Sequence, residues 1–405
     1  MIYSRGSADD FDRYARATGD HGWSWDALQP YIKKHERVVL PADCYDIIGQ
    51  IDISAHGTSG PLGVSLPGYP LGIDSLVMET TPQLPEEFPF NEDMNAGTPL
   101  VSAGRRILWK RGSRVSSSIA YIQPYLHCKN FDVLINSQAT KLIQTGTEWG
   151  KPAIHGVQFA ASKDAPLYVL NATKEVILSA GLFGSPQLLI LSALPLHLTS
   201  LRSTFRLSHI GWFRLHEGAS ILATEVDPSA ALRSSHYEFL IFNGFVSPVG
   251  ASVHSGHYLS MITSVTSPSS RGNLTLASAS PWNLPIANPA MSNSAFDIYV
   301  IRESIRATKR MLSAPAWDNY LIGLYGEFST AETDEELDAH AAADTASFNH
   351  RLGTAAMGIN GLRVVDGSVL TFIPAAAPQA AIYIIAERAT DIIKQANKCR
   401  DHRRC

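Results

Sequence analysis

The chain has 405 residues, of which 45% are apolar and 17% are charged, a composition typical of a folded protein with a sizeable core. This length favours two domains or one large, elaborated domain. With 33 basic and 37 acidic residues the net charge is −4, and the only basic run is the short C-terminal stretch KCRDHRR. The composition therefore argues against a nucleic-acid-binding protein.

The sequence contains no predicted membrane segment, because no apolar run approaches the ~18 residues that a span needs. Its first residues are polar where the apolar core of a signal peptide belongs, so we do not expect them to form one. Four cysteines without a C-x-x-C pair indicate neither a zinc motif nor a disulfide scaffold. Two glycosylation sequons, at Asn171 and Asn273, support secretion only slightly.

The first predicted element is a helix with clear start and stop residues. Ser7 suits the N-cap, Asp10 follows three residues later, and Gly19 suits the end. A second helical stretch carries Trp23 and Trp25, which we expect to anchor a core. Residues 41–100 are rich in Gly and Pro and show little periodicity, so we expect an irregular segment that wraps the surface.

Strands are predicted at residues 131–146, in AIHGVQFAAS and in LYVLNATKEVILSAG, which have short apolar runs typical of sheets. A helix is expected to begin at Ser185 as N-cap, with Pro186 at its first position. The sequence between them forms a strand, a Gly-containing turn and a helix start. That order is typical of a nucleotide-binding crossover, although an ordinary strand-to-helix turn at Ser179-Ala180-Gly181 has the same pattern.

Two further helices are predicted in AFDIYVIRESIRATKRML and DEELDAHAAAD. The C-terminal part is predicted to contain a short buried strand that ends at Asp366-Gly367. Pro378 is expected to open a last helix. Its apolar positions recur at nearly helical spacing, at Ile382, Ile385, Ala389 and Ile392.

Motif chemistry alone leaves the function open. The sequence has no G-x-G-x-x-G, Walker, H-E-x-x-H or G-x-S-x-G motif, and His254 with His257 lacks a third metal ligand. The residue types around His350 favour a packed core histidine over a catalytic base. Asp366 is a turn residue, and Gly367 after it permits close backbone approach to a ligand. The residues by themselves therefore predict an α/β protein with a nucleotide-like cofactor.

Several stretches, in the same order, together resemble the glucose-methanol-choline (GMC) family of FAD-dependent oxidoreductases, and within it the aryl-alcohol oxidase and pyranose dehydrogenase branch. They cover most of the chain. The stretches are MIYSRGSADDFDRYARATGDHGWSWDALQPYIKKHE, NEDMNAGTPL, SSSIAYIQPYL, EVILSAGLFGSPQLLILS, SPSSRGNLTLASASPWNLPIANPAM, FDIYVIRESIRATKRMLSAPAW, HRLGTAAM and GLRVVDGS.

The resemblance implies a mixed α/β and α+β fold. It comprises an incomplete FAD-binding domain of GMC type and a substrate domain with an antiparallel sheet and helices. The FAD-binding domain is discontinuous in the sequence. We expect it to take residues 1–40, 120–200 and 345–400, and the substrate or cap domain to take residues 41–119 and 201–344.

The resemblance also places residues at the cofactor, FAD. Ala139 corresponds to a backbone contact with adenine, and the Ser179–Gly181 turn lies near the adenosine end. The Asp366-Gly367 pair matches residues that meet the pyrophosphate and ribityl region. The start of the last helix faces the flavin ring, where its dipole favours the anionic reduced form. The implied cofactor-binding residues are Ala139, Ser179, Ala180, Gly181, Asp366, Gly367, Pro378 and Gln379.

His350 matches the first histidine of the family's active-site pair. Such a histidine takes the hydroxyl proton of an alcohol or sugar while hydride passes from carbon to flavin N5. Dioxygen or a quinone then reoxidises the flavin. The resemblance thus implies a small-molecule alcohol or sugar as substrate and no metal, nucleic acid or membrane partner. Members of this branch are commonly secreted, so an extracellular location is expected.

The chain departs from the family pattern in four ways. It begins just after the Gly-rich FAD fingerprint, a different sequence follows LLILS, and only Ile359 and Asn360 separate GTAAMG from GLRVVDG. The fourth departure is Ala377, which stands where the second active-site residue is normally His or Asn. Alanine neither takes a proton nor donates a side-chain hydrogen bond, and such a loss costs roughly several kcal/mol of transition-state stabilisation.

Two interpretations therefore remain at the level of sequence. One is a flavoenzyme that oxidises CH–OH groups of alcohols or sugars. The other is a truncated, catalytically impaired homologue, and the four departures favour it for the chain as given. A non-enzymatic carbohydrate- or partner-binding protein has little support in the sequence.

Overall fold

The computed structural model describes residues 2–68, 71–100, 109–110, 113–148, 150–194, 209–247, 249–250, 255–346, 352–353 and 361–402. Helices and short strands alternate through these ranges, which confirms the predicted mixed class. The helices there are α1 (Ala8–Thr18), α2 (Trp25–His35), α3 (Gly72–Gln83), α4 (Gly181–Leu191), α5 (Ala295–Leu312), α6 (Asp334–Asp344) and α7 (Gln379–His402).

The strands of the described residues form several small sheets. Two sheets are parallel pairs, β1 with β2 and β8 with β14, and the others are antiparallel. The strands are β1 (Glu36–Val38), β2 (Leu62–Val64), β3 (Trp109–Lys110), β4 (Ser113–Arg114), β5 (Gln138–Glu148), β6 (Lys151–Ala160), β7 (Tyr168–Asn171), β8 (Val176–Leu178), β9 (His209–Phe213), β10 (Tyr237–Asn243), β11 (Leu259–Val265), β12 (Asn273–Thr275), β13 (Ile286–Asn288) and β14 (Leu362–Val364).

One antiparallel sheet has β10 at its centre, between β9 and β11. Alternate residues of its strands point to opposite faces, as the pleat requires. Phe213 and Phe239 face α3 and α5, while Trp212 and Leu240 face Met94 on the other side. The sheet is therefore buried on both faces.

A second region joins the meander β5–β6–β7 to the parallel pair β8–β14. Leu142 of β5, Leu178 of β8, Leu188 of α4 and Val364 of β14 belong to one buried cluster. A third cluster holds α1, α2 and the start of α7 together through residues such as Phe11 and Leu28. These clusters bring the N-terminal and C-terminal segments of the chain into contact.

The predicted start of α1 is confirmed. The Ser7 side chain accepts from the amide of Asp10, the Asp10 carboxylate accepts from the amide of Ser7, and Gly19 ends the helix with φ +68°. The predicted helices α5 and α6 also form, each with its own side-chain N-cap, Ser294 and Thr333. Capping residues predicted α1, and the spacing of apolar residues predicted α5.

Residues 72–83 and 131–137 differ from the sequence predictions. Residues 72–83 form helix α3 inside the segment expected to be irregular, because Ile73 and Val77 pack against the central sheet. The strand predicted at 131–146 begins only at Gln138. Leu134 and Ile135, which precede it, stay 63% and 72% exposed. Among the described residues no strand pairs with them, and a β-strand needs a neighbour to satisfy its backbone groups.

A buried ionic cluster fixes the start of the chain. The Arg5 guanidinium pairs with the Glu36 carboxylate, and both side chains are fully buried. His56 lies 2.8 Å from Glu36 through Nδ1 and 2.9 Å from Asp93 through Nε2. Burial raises the pKa of Glu36, but the charge of Arg5 and the hydrogen bond with His56 outweigh it and hold that pKa below the ordinary value.

We expect Glu36→Gln to lower the free energy of unfolding by about 3–5 kcal/mol, because it leaves the buried guanidinium of Arg5 without its counter-charge. A group with a depressed folded-state pKa stabilises the fold above its unfolded pKa, near 4.5 for Glu36, and less as pH falls below it. Urea unfolding at pH 7 and at pH 4 should therefore show a smaller difference between variant and wild type at the lower pH.

The matched control is Glu335→Gln, at an exposed position in the first turn of α6. It should change stability by no more than about 0.5 kcal/mol. An equal effect of the two variants would contradict the assigned role of the buried pair.

Candidate active site

The predicted strand–turn–helix unit is present, with a different helix start. Strand β8 ends at Leu178, and Ser179 and Ala180 are exposed at its carboxyl end. The hydroxyl of Ser179 donates to the carbonyl of Val365 at 2.9 Å, which ties the turn to the end of β14. Both parallel strands therefore end at one place, the edge at which open α/β sheets bind ligands.

Asp366 joins the end of β14 to the start of α4. Its Oδ2 accepts from the amide of Gly181 at 2.9 Å and from the hydroxyl of Ser185, while Oδ1 accepts from the amide of Ser368 at 2.8 Å and from its hydroxyl. The carboxylate thus caps α4 from a strand that is distant in sequence. This is why α4 begins at Gly181 rather than at Ser185, as the sequence had suggested.

The same contacts change the expectation for the helix N-terminus. We had expected backbone amides there to face a ligand anion, and the anion that the Gly181 amide contacts is the Asp366 carboxylate. Ser179 and Ala180 remain accessible beside it. Ala139, in β5, is half-buried and packs in the same cluster as Leu178.

Gly367 brings three parts of the chain together. A side-chain carbon at this position would lie 3.0 Å from Leu352 and 3.2 Å from Ile382, so the absence of a side chain allows close packing. The amide of Gly353 donates to the carbonyl of Gly367 at 3.3 Å. His350 itself lies outside the described residues, but the chain two residues after it is held against the first turn of α7.

The loop before α7 contains Ala377, which is only 5% exposed. Its amide donates to the hydroxyl of Ser4 at 3.0 Å, and the amide of Ala375 donates to the Asp10 carboxylate at 3.1 Å. Helix α7 begins at Gln379, one residue after the predicted start, and the carbonyl of Pro378 accepts from Ile382. Sequence reasoning placed Asp10 only in a helix cap and gave Ser4 no role.

Gln379 faces a group of aromatic side chains. Burial raises the pKa of the Tyr383 hydroxyl, and hydrogen bonds with Ser117 and Gln379 oppose this shift. The Tyr383 ring stacks on His35 at 6.0 Å and on Tyr121 at 6.1 Å between ring centroids. The first turn of α7 is therefore held by polar and aromatic contacts as well as by the buried cluster beneath it.

Comparison with known proteins identifies the family. Two family models, both described as GMC oxidoreductase, match residues 1–211 and 268–386, and the first alone covers more than half of the chain. The chain belongs to the GMC oxidoreductase family. The predicted family is thus confirmed, and with it FAD as the cofactor and sugars or alcohols as the substrates on which its FAD-dependent oxidoreductases act.

Relatives of this GMC protein include pyranose dehydrogenase 3 from Leucoagaricus meleagris, which is 29% identical over 98% of this chain and 78% of its own length. That alignment spans 479 residues, so the relative carries internal segments without counterpart in these 405 residues. Mitochondrial choline dehydrogenase from Mus musculus is 25% identical over 97% of this chain and 73% of its own length.

Solved structures show the same fold. A variant of formate oxidase from Aspergillus oryzae superposes with a TM-score of 0.82 at 19% identity, covering 98% of this chain and 82% of its own. A fungal aryl-alcohol oxidase gives a TM-score of 0.78 at 18% identity, with 98% and 84% covered. The family models and the pyranose dehydrogenase relative support the oxidoreductase interpretation and do not favour the impaired alternative over it. Among the described residues, no helix is long and apolar enough to span a membrane.

We expect Asp366→Asn to separate α4 from β14. The NH2 group that replaces one oxygen is a donor, so the remaining oxygen can accept from Gly181 and Ser185 or from the two donors of Ser368, but not from both sets. The free energy of unfolding should therefore fall by about 2–3 kcal/mol. Chemical denaturation measures the change. Asp344→Asn, at an exposed position at the end of α6, is the control and should be nearly neutral. If Asp366→Asn were as stable as this control, the capping role of Asp366 would be wrong.

Proposed function

We propose that the protein oxidises a CH–OH group of a sugar or alcohol to the carbonyl, with His350 as the base. The observation that carries the proposal is the convergence at Gly367. There the segment that follows His350, the first turn of α7 and the end of β14 pack together. In a GMC family member this arrangement fits an active site beside the start of α7.

The residues present fit FAD at two places. Ser179 and Ala180 are exposed at the carboxyl end of the β8–β14 pair, with Ala139 close by, which suits the adenosine end. Pro378 and Gln379 are half-buried at the start of α7, where the helix dipole favours negative charge on a flavin ring. When bound, FAD supplies the acceptor for the substrate hydride.

The chain's own contribution to the chemistry is proton transfer and positioning. A neutral imidazole at His350 accepts the substrate hydroxyl proton, since its ordinary pKa lies near neutral pH. Ala377 contributes only a small apolar surface, because its amide is already bonded to Ser4. His350 therefore carries the proton transfer without a partner side chain at position 377.

Pyranose dehydrogenases among the relatives support a sugar as the substrate. Dioxygen or a quinone is the proposed electron acceptor. The proposed FAD-binding and substrate domains have the residue ranges expected from the sequence.

We also propose that the protein is a secreted glycoprotein. Asn171 and Asn273, the sequon residues, are both exposed, as glycan attachment requires.

We expect purified protein to bind added FAD stoichiometrically, measured as quenching of flavin fluorescence on titration and as visible absorbance that survives gel filtration. Nicotinamide adenine dinucleotide, which has the same adenosine end, is the control ligand and should not compete at equal concentration. Protein that stays colourless and leaves flavin fluorescence unchanged would favour the impaired alternative.

His350→Gln should lower kcat by roughly 10²–10⁴-fold, because the amide side chain cannot accept the hydroxyl proton. In wild type, acid should lower activity, because a protonated imidazole cannot accept the hydroxyl proton, and the variant should lose this dependence. His127→Gln, at an exposed histidine, is the control and should behave as wild type. Full activity of His350→Gln would remove His350 as the base.

A further inference from the structure

The loop Pro374–Ala377, here called the pre-α7 loop, has its backbone fixed by side chains from other parts of the chain. The Asp10 carboxylate accepts from the amide of Ala375 at 3.1 Å. The Ser4 hydroxyl accepts from the amide of Ala377 at 3.0 Å. Both anchors come from the first ten residues, more than 360 positions away in sequence.

Burial of Asp10, which is 1% exposed, costs free energy, because its carboxylate loses its hydration. Hydrogen bonds replace that hydration. Beyond Ala375, the carboxylate accepts from the amide of Ser7 at 2.9 Å, from its hydroxyl at 2.8 Å and from the hydroxyl of Ser234 at 3.3 Å. Among the described residues, Asp10 forms an ion pair with Arg13 at 3.9 Å. Burial raises the pKa of Asp10, and the bonds from Ser7 oppose this shift.

Gly6 allows the carboxylate and the loop to approach each other. Its φ is +89°, and a side-chain carbon there would lie 3.1 Å from Asp10 Oδ2 and 3.1 Å from the Cβ of Pro374. Any larger residue would both strain the backbone and intrude between the two groups. Three residues of one short stretch, Ser4, Gly6 and Asp10, thus make the close contact with the pre-α7 loop possible.

We propose that Asp10 is a positioning residue, which together with Ser4 sets the backbone of the pre-α7 loop and so the place of residue 377 and of the first turn of α7. It acts through backbone amides and does not contact the substrate. The consequence for cofactor binding rests on the proposed function, but the effect on the loop does not.

A purely local role for Asp10, as the helix cap of α1, is the alternative. The chain offers a comparable buried carboxylate in Asp297, which is 3% exposed and stands three residues after the N-cap Ser294 of α5. Asp297 also accepts from distant backbone amides, those of Ser269 at 2.7 Å and Ser270 at 3.0 Å. Asp297→Asn therefore neutralises a buried carboxylate at the same position in the first turn of another helix, one that also holds distant backbone amides but lies away from the pre-α7 loop.

The experiment compares amide hydrogen exchange in wild type, Asp10→Asn and Asp297→Asn without any ligand. Asp10→Asn should speed exchange of the Ala375 amide by about tenfold or more beyond the change in global stability, as expected when the charged acceptor of its hydrogen bond becomes a neutral amide. Asp297→Asn should leave that amide within about twofold after the same correction. Equal effects of the two variants, or an unchanged Ala375 amide in Asp10→Asn, would overturn the proposal.

Ser4→Ala tests the same loop by a smaller change, in case Asp10→Asn does not fold. It should speed exchange of the Ala377 amide and leave the Ala375 amide protected. An unchanged Ala377 amide counts against the proposal.

A second measurement is the dissociation constant for FAD. It should rise by about tenfold in Asp10→Asn and stay unchanged in Asp297→Asn. If wild type binds no FAD, the proposed function fails, while the exchange data still decide the role of Asp10.

Discussion

The Asp366 carboxylate is the interaction on which the architecture of the candidate site depends. It accepts hydrogen bonds from Gly181, Ser185 and Ser368, and in this way joins β14 to the start of α4. Without a charged acceptor at that point, several buried donors would lack partners, at a cost of roughly 1–3 kcal/mol each. Gly367 follows directly, and its missing side chain lets Leu352 and Ile382 pack beside the same carboxylate.

A second constraint comes from the extended stretch at the start of the chain, whose side chains alternate in direction as in a strand. Tyr3 and Arg5 point to His35 and Glu36, into the buried polar cluster. Ser4 points the other way and holds Ala377. One short segment thereby connects the buried ionic cluster to the loop that precedes α7.

The sequence predicted the elements that depend on interactions between residues close together in the chain. The capping box of α1, the amphipathic α5 and the strand before Asp366 all formed where expected. The sequence could not predict α3, whose apolar positions matter only against the central sheet, nor the start of α4, which Asp366 caps from β14. The contacts of Asp10 and Ser4 with the pre-α7 loop were also hidden, because such tertiary hydrogen bonds leave no periodic pattern. Resemblance to the family, rather than chemistry at single residues, indicated His350.

The central claim is that this GMC family member removes hydride from a CH–OH carbon. Anaerobic mixing of FAD-loaded protein with a pyranose sugar, followed by flavin absorbance, tests it most directly. We expect loss of the visible absorbance, at a rate that falls when the carbon-bound hydrogens of the sugar are replaced by deuterium. Bound flavin that stays oxidised with every sugar and primary alcohol in a broad panel would contradict it.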